Sequence, residues 1–314
     1  MGEPFRLLYR DLDRLPYLLA VAAAAARSGM TLELVRHHQV GSEDWGEKLR
    51  RGEVDAIGEN YWALVRYRFA GDPFLTVASA THAWRDALLV RPGITSLADL
   101  RGKRFATRAA GPQIWFPQVY FRQAGLLDEI EIVQVPEAET GRWGHWKRVA
   151  DGDCAGCFMS RLYIDDALAA GLRELPYAPW PFEGGHVCPT VTEDVVARRG
   201  EDVQTLVTAM FEACRDTSNQ PPNLLPYTQA AVDDLRSYSP LATGAEIARL
   251  NERLAAEIAP SPVPRIAGVV NALEIVTTRF PELAGHDPLI MWDLSFARAA
   301  MRKVSDATSP NLNY

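Results

Sequence analysis

The sequence predicts an α/β protein of two lobes, each a mostly parallel β-sheet flanked by helices, with a helical C-terminal region. Strand-like and helix-like segments alternate over residues 6–59, which is the pattern of a parallel sheet covered by helices. The alternation begins afresh at Trp84. The chain also contains one sequence pattern twice. GEVDAIGENYW at 52–62 and DGDCAGCFMSR at 151–161 each follow a helix-like stretch and pass through a short apolar run.

The first lobe opens with five segments in the order strand, helix, strand, helix, strand. Gly29 marks the end of the first helix, because glycine readily adopts the left-handed conformation that closes helices. Ser42 is predicted to cap the second helix. The five segments are RLLYRDL, PYLLAVAAAAARSG, TLELVRH, SEDWGEKLRRG and VDAIGE.

The second lobe shows a similar order after Trp84. Gly184-Gly185 separates it from a further strand-like run, HVCPTVTEDVV, and the chain is predicted to be largely helical from Asp202 onward. The segments of the second lobe are RDALLVRP, GITSLADLRGKRFAT, PQIWFPQVYFRQAG, IEIVQV, ETGRWGHWKRVADG and DCAGCFM.

The restart at Trp84 and the paired glycines predict the domain organisation. Residues 1–84 plus 187–314 are assigned to lobe one and residues 85–186 to lobe two, with two crossover strands between them. In open α/β sheets, ligands bind outside the carboxyl ends of the strands. A ligand cleft is therefore expected between the lobes.

Composition limits the classes of function. The chain has 314 residues, of which 47% are hydrophobic and 23% charged, and its formal net charge is -7. This charge argues against a nucleic-acid partner, because phosphate binding depends on clustered lysine and arginine. The most apolar stretch, 18–26, is too short to cross a bilayer, so no membrane anchor is predicted. The first residues lack an export-signal pattern, which favours a cytoplasmic location, or a periplasmic or extracellular one if a signal was removed.

The four cysteines lie at 154, 157, 188 and 214. Cys154 and Cys157 form a C-x-x-C pair, which is compatible with a buried structural pair, a redox pair or metal ligation. A structural zinc site needs four ligands, and the sequence contains no second C-x-x-C motif and no H-x-x-x-H motif. The buried structural pair is therefore the favoured interpretation, and no metal or other cofactor is predicted.

Several segments resemble the type II periplasmic-binding-protein fold over almost the whole chain. GITSLADLRGKRFAT is similar to the segment that opens the second lobe in that superfamily, and the repeated strands at 52–56 and 152–155 are similar to its paired strands. Within the superfamily, YRDLDRLPYLL, GDPFLTVASATHAWRDALLV and CFMSRLY resemble the 4,5-dihydroxyphthalate decarboxylase group. A looser likeness links the chain to the alkanesulfonate, nitrate and thiamine-pyrimidine substrate-binding proteins. Because this scaffold serves both receptors and enzymes, the resemblance implies the fold more strongly than the activity.

The expected cleft would collect polar and aromatic side chains from the strand ends. Arginine is well shaped to hold a carboxylate through two parallel hydrogen bonds, and helix N-termini favour anions, so a small anionic ligand is expected. The candidate catalytic residues, at the two crossings between the lobes, are His186 and His82. The candidate substrate-binding residues are Asp13, Arg14, Glu59, Asn60, Trp62, Arg108, Trp115, Ser160 and Arg161.

Several of these candidates have a purely structural alternative. Asp13 and Arg14 would equally well cap the alanine-rich helix and pair with each other. Trp62 and Trp115 are compatible with packing in the core as well as with an apolar wall for a ligand. His186 follows two glycines, which is typical of a hinge or of a close approach of the backbone.

Two functions remain open from the sequence. The first, favoured by the missing export signal, is a cytosolic decarboxylase or related carbon–carbon lyase that acts on a small, aromatic or unsaturated carboxylate. The second is a binding protein without catalysis, either the receptor of an ABC transporter or a sensor of a small anionic molecule. An ABC permease is a partner only in the second case, and a homodimer is compatible with both.

Overall fold

A computed structural model describes residues 2–37, 45–60, 64–109, 114–141, 143–177, 180–183, 187–218, 224–238 and 244–308. The chain divides into two compact units. The first unit consists of Met1–Ala83, Pro181–Ala272 and Gly285–Tyr314. The second unit consists of Trp84–Trp180 and Leu273–Ala284.

Residues 273–284 belong to the second unit, although the sequence placed all of 187–314 in lobe one. Side-chain contacts explain the difference. The Gln123 amide donates a hydrogen bond to Glu274 at 2.8 Å. The Arg279 guanidinium lies 5.0 Å from the centroid of the Trp115 ring. The predicted lobe boundaries otherwise stay a prediction.

The described residues form β-strands and α-helices, which are numbered separately in chain order. The β-strands are β1 (Phe5–Tyr9), β2 (Leu32–Arg36), β3 (Ala56–Glu59), β4 (Phe74–Thr76), β5 (Ala83–Trp84), β6 (Ala87–Val90), β7 (Lys103–Arg108), β8 (Ile130–Val135), β9 (Gly156–Met159), β10 (Arg173–Glu174), β11 (Trp180–Pro181) and β12 (Cys188–Thr192). The α-helices are α1 (Leu15–Arg27), α2 (Trp45–Arg50), α3 (Val65–Phe69), α4 (Phe116–Gln123), α5 (Glu137–Thr140), α6 (Lys147–Ala150), α7 (Asp165–Ala169), α8 (Glu193–Ser218), α9 (Leu225–Ala230), α10 (Val232–Tyr238), α11 (Gly244–Glu257), α12 (Ile266–Arg279) and α13 (Ser295–Thr308).

The two units are built on sheets of the same topology. The first sheet has the order β2-β1-β3-β12-β4 and the second has the order β10-β6-β9-β7-β8. In the first, β1 runs parallel to β2 and β3, and β12 is antiparallel to β3 and β4. In the second, β7 runs parallel to β8 and β9, and β6 is antiparallel to β9 and β10. Each sheet therefore contains three neighbouring strands that pair in parallel, and the middle one of the three is β1 or β7.

The repeated sequence at 52–62 and 151–161 has the same local structure in both units, as far as the residues are described. Helices α2 and α6 are each followed by a glycine with a positive φ, 66° at Gly52 and 85° at Gly152. The chain then enters a fully buried strand, β3 in the first unit and β9 in the second. The repeated sequence pattern therefore forms the third parallel strand of each sheet, β3 or β9.

The strand-like run at 186–196 is shorter in the structure than the sequence predicted. β12 ends at Thr192 and α8 begins at the next residue, earlier than the predicted helical start at Asp202. The Thr192 hydroxyl accepts a hydrogen bond from the Val195 amide at 3.1 Å, as the cap of a helix N-terminus does. This cap explains the early start of the helix.

The helix predicted over 139–152 is divided in the structure. It consists of the end of α5, a 3-10 turn at Gly144–Trp146 and the helix α6. Gly141 interrupts it with a φ of 84°, a conformation that glycine adopts without a steric penalty. The predicted Ser42 cap of α2 lies outside the described residues.

All four cysteines are buried, and none of them is in a disulfide bond. Cys154 and Cys157 lie in the core of the second unit with Leu89 and Val149. Burial raises the pKa of the Cys157 thiol, and the neighbouring Cys154 raises it further. Among the described residues, no group of three or more His, Cys, Asp or Glu side chains is arranged to hold a metal ion. Within the same residues, no helix is long and apolar enough to cross a membrane.

Replacing Gly156 by alanine should destabilise the protein. A Cβ atom there would lie 2.9 Å from the Leu89 carbonyl oxygen and 3.0 Å from the Val90 side chain. Overpacking of this kind lowers the free energy of unfolding by about 1–3 kcal/mol, which denaturant titration would measure. Gly200→Ala is the control, because a Cβ atom there meets nothing within 4 Å. Equal losses in the two variants would contradict the prediction.

Candidate functional site

Equivalent arginines lie at the ends of β1 and β7: Arg10 directly follows β1, and Arg108 is the last residue of β7. Leu7 is the first residue of β1 that pairs with β3, and Phe105 is the first residue of β7 that pairs with β9. Arg10 follows Leu7 by the same interval as Arg108 follows Phe105. Both arginines therefore lie at the carboxyl end of a strand that pairs in parallel on both sides, the edge at which such sheets bind ligands.

In the second unit, the Arg108 guanidinium lies between an aromatic ring and a carboxylate. Its Nε atom donates to Glu137 Oε1 at 2.6 Å, and a terminal nitrogen lies 2.5 Å from the same oxygen. The guanidinium carbon lies 4.8 Å from the centroid of the Trp143 ring. Trp143 in turn stacks on Tyr163, with centroids 5.0 Å apart and planes at 18°. These aromatic contacts fix the position of the guanidinium.

The first unit holds Arg10 in a similar way. Its Nε atom donates to Asp11 Oδ1 at 2.9 Å and a terminal nitrogen donates to Asp11 Oδ2 at 2.8 Å, so the pair is bidentate. The Arg10 guanidinium lies 5.3 Å from the centroid of Trp45, which is buried. Both units therefore place an arginine on a tryptophan and pair it with a carboxylate of the same unit.

Glu59 is a buried carboxyl at the end of β3. One of its oxygens accepts the backbone amides of Arg10 at 2.6 Å and Asp11 at 3.2 Å. Burial raises the pKa of Glu59 to about 7, and the charge of Asp11 adds to the rise, whereas Arg10 and Arg14 oppose it. Near neutral pH this side chain is thus poised between its acid and base forms.

Arg14 is a buried cation between two acidic side chains. Its Nε atom lies 3.5 Å from Asp13, and another nitrogen lies 3.4 Å from Glu257 in α11. Burial by itself lowers the pKa of Arg14, but Asp13 and Glu257 outweigh that effect and raise it. The three side chains, with Tyr17, line a small cavity. Asp13 and Arg14 therefore pair with each other, as the structural alternative predicted, but the Arg14 side chain makes no capping hydrogen bond at the start of α1. A role of either residue in ligand binding stays a prediction.

The candidates Ser160 and Arg161 follow β9. The Ser160 hydroxyl accepts a hydrogen bond from the Leu162 amide at 3.4 Å and so caps the short 3-10 helix there. Arg161 donates to the Arg85 carbonyl oxygen at 2.8 Å and binds both oxygens of Glu174. Arg161, like Arg108 and Arg14, thus already has a carboxylate partner within its own unit.

His82 lies beside a second buried carboxyl, Glu183. Its Nε2 atom is 3.9 Å from Glu183 Oε2, and the other Glu183 oxygen accepts the Arg265 amide at 2.9 Å, just before α12. Glu183 has no solvent exposure. Burial raises its pKa to about 7, and hydrogen bonds from Ser79 and the Arg265 backbone limit the rise. At 3.9 Å the His82 ring and the Glu183 carboxyl are neighbours, but the distance is too long for a direct hydrogen bond.

The remaining candidates are not brought into one cluster by the described structure. Asn60 is buried directly after β3, and Trp115 is half-buried before α4. Trp62 and His186 lie outside the described residues. The assignment of all these side chains to a ligand site stays a prediction.

Sequence reasoning missed several side chains that the structure makes prominent, namely Arg10, Trp45, Glu137, Trp143 and Glu183. The equivalence of Arg10 and the nominated Arg108 follows from the pairing of β1 with β3 and of β7 with β9. No sequence signal marked Glu137 or Glu183, because their roles depend on partners that are distant in sequence.

Comparison with known proteins gives the fold. No protein-family model and no curated protein sequence matches the chain. The periplasmic sulfonate-binding protein SsuA of Methylobacillus flagellatus KT matches with a TM-score of 0.71 and 16% identity, covering 99% of this chain and 98% of that chain. SsuA of Escherichia coli, an aliphatic sulphonate binding protein, matches with a TM-score of 0.62 and 16% identity, covering 90% and 88%. The desulfurization enzyme DSZB matches with a TM-score of 0.61 and 14% identity, covering 96% and 100%.

The predicted fold is thereby confirmed: the chain has the two-lobed fold of the periplasmic binding proteins. The identities are too low to carry an activity over from any of these structures. The finer resemblance to the decarboxylase group stays a prediction.

Proposed function

We propose that the chain reversibly binds a small organic anion, such as a sulfonate or a carboxylate, and that Arg108 receives the acid group. The solute-binding proteins among its structural relatives support reversible binding, since the likeness covers nearly the whole of both chains. The single observation that carries the proposal is the Arg108 guanidinium, held over Trp143 at the carboxyl end of β7. An ABC permease would be the partner of such a receptor.

Arg108 has the properties that anion recognition needs. A guanidinium offers parallel N–H donors that match two oxygens of a carboxylate or sulfonate. Contact with Trp143 restricts its motion, so less side-chain entropy is lost when an anion binds. The carboxylate that it now contacts, Glu137, is one-third exposed, so this side of the guanidinium is near solvent.

Arg108→Ala should weaken anion binding by roughly 10- to 150-fold, the equivalent of one charge-assisted contact of about 1.5–3 kcal/mol. Isothermal titration with a panel of aliphatic and aromatic sulfonates and carboxylates would measure it. Arg104→Ala is the matched control, because Arg104 belongs to the same strand and is exposed, pairing with Glu131. Unchanged affinity in Arg108→Ala, or equal losses in both variants, would reject Arg108 as the anion site.

A second candidate function is catalysis, as a decarboxylase or related lyase. The observation in its favour is that His82 lies 3.9 Å from the buried Glu183 carboxyl, whose pKa burial raises to about 7. Elsewhere in the same unit, burial also raises the pKa of Glu59 to about 7. An acid of this pKa can protonate the carbon from which CO2 departs and then recover its proton from water. The relative DSZB is an enzyme by its name, which keeps catalysis open for this fold.

Mass spectrometry of each bound compound separates the two functions. Under the binding proposal, every compound that binds is recovered unchanged after long incubation with the protein. Loss of 44 mass units as CO2 from a bound carboxylate, abolished in His82→Gln, would replace the binding proposal by the lyase.

A further inference from the structure

Glu137 occupies the donor groups that the proposed ligand needs. We propose that Glu137 is an internal competitor of the ligand: its carboxylate takes the place of the ligand's acid group on Arg108 and is displaced when the anion binds. This inference rests on the proposed anion site at Arg108. It makes Glu137 a residue that sets affinity and specificity, and not a residue that positions the arginine.

The first step is that Arg108 does not depend on Glu137 for its position. The guanidinium lies on Trp143, which stacks on Tyr163, and both rings come from other segments than α5. The equivalent Arg10 also lies on a tryptophan, but its carboxylate is that of the next residue, Asp11. The two units thus share the arginine and the ring, whereas the carboxylate comes from unrelated positions.

The second step is that the Glu137 side chain can leave. Among the described residues, its carboxylate forms ion pairs and hydrogen bonds only with Arg108. It is the first residue of α5, a helix of only four residues that ends at Thr140. The side chain is 33% exposed, so a rotation about its own bonds would bring the carboxylate into water. Both carboxylate and guanidinium would then remain solvated or paired.

The third step concerns specificity. A ligand must replace the charge and the hydrogen bonds of Glu137, otherwise the Arg108 guanidinium loses its partner. Neutral ligands cannot do this, whereas sulfonates and carboxylates offer two oxygens with the spacing that a guanidinium fork requires. The contact with Glu137 therefore selects for anions and lowers the affinity for each of them.

The test measures the binding of benzenesulfonate and benzoate to the full chain by isothermal titration. Glu137→Ala should tighten binding roughly 5- to 20-fold, between the effects known for exposed and for buried ion pairs. Glu137→Gln, which keeps the shape of the side chain, should tighten it in the same direction. In the Arg108→Ala background, Glu137→Ala should change the affinity less than about twofold, since the coupling between the two residues is then lost.

Glu139→Ala is the matched control. It removes the same charge from the same helix, but its carboxylate faces Arg148, 3.9 Å away. Equal tightening in Glu139→Ala would mean a general electrostatic effect and would overturn the competitor role. Unchanged binding in both Glu137 variants would overturn the competitor role, and weaker binding in both, at unchanged thermal stability, would show instead that Glu137 positions Arg108. Binding of neither anion by wild type or variants would instead reject the anion site itself.

Discussion

Arg14→Leu is expected to lower the free energy of unfolding by about 3–5 kcal/mol at pH 7.5. The substitution leaves Asp13 and Glu257 as neighbouring carboxylates, both almost fully buried, without the cation that lies between them. Buried carboxylates that have lost their counter-ion either pay the cost of desolvation or take up protons. At pH 4 they take up protons more readily, so the loss of stability should be smaller there. Denaturant unfolding at the two pH values would measure both effects.

Arg27→Leu is the control for this experiment. Arg27 is the last residue of the same helix, α1, and its pair with Glu212 is exposed to solvent. Exposed pairs contribute about 0–1 kcal/mol, so this variant should change the free energy of unfolding little at either pH. An Arg14→Leu effect no larger than that of Arg27→Leu would show that the three charges are not coupled as the structure indicates.

Glu183→Gln should stabilise the protein at alkaline pH and leave it unchanged at acid pH. The pKa of Glu183 rises from an ordinary value of 4.5 to about 7 in the folded chain. The stability that its buried, protonated form contributes is complete below pH 4.5 and is lost as the pH rises through 7. Glutamine stays neutral and keeps an oxygen for the Arg265 amide. The variant should therefore exceed wild type by about 3 kcal/mol at pH 8.5 and match it at pH 4.

Unfolding curves between pH 4 and pH 8.5 would measure this difference. Glu131→Gln is the control, since its side chain is two-thirds exposed and should give the same stability as wild type at every pH. Glu59 also has a pKa of about 7, so it makes the stability of the protein depend on pH as well. Wild type and Glu183→Gln both contain Glu59, so its effect cancels in the difference between their free energies of unfolding. A stability difference that does not change with pH would contradict the assignment of the raised pKa to Glu183.

The fold followed from local patterns in the sequence. The alternation of strand-like and helix-like segments predicted the parallel strands β1 to β3 and β7 to β9. This was possible because the periodicity of apolar residues that marks a strand or a helix lies within one short segment of the sequence. The division of the helix at 139–152 was harder to predict, since Gly141 interrupts it by its backbone conformation and not by its polarity. The local sequence pattern therefore predicts the order of strands and helices better than it predicts where short helices begin and end.

The candidate site was less accessible to sequence reasoning. Arg108 could be nominated from its place at a strand end, but its partner Glu137 comes from the segment after β8. Glu183 owes its burial partly to Gly268, where a Cβ atom would lie 2.7 Å from its side chain. Contacts of this kind join distant positions, and a single sequence contains no pattern that reports them.

The placement of β12 has a consequence for synthesis on the ribosome. The first sheet contains β12 between β3 and β4, so β4 has no neighbour in that sheet until residue 192 has been made. The second sheet needs nothing beyond β10, which ends at Glu174. A nascent chain can thus assemble the whole second sheet while the first still lacks an inner strand. The first unit, whose strands β1 to β4 are translated first, is therefore the unit whose sheet is completed last.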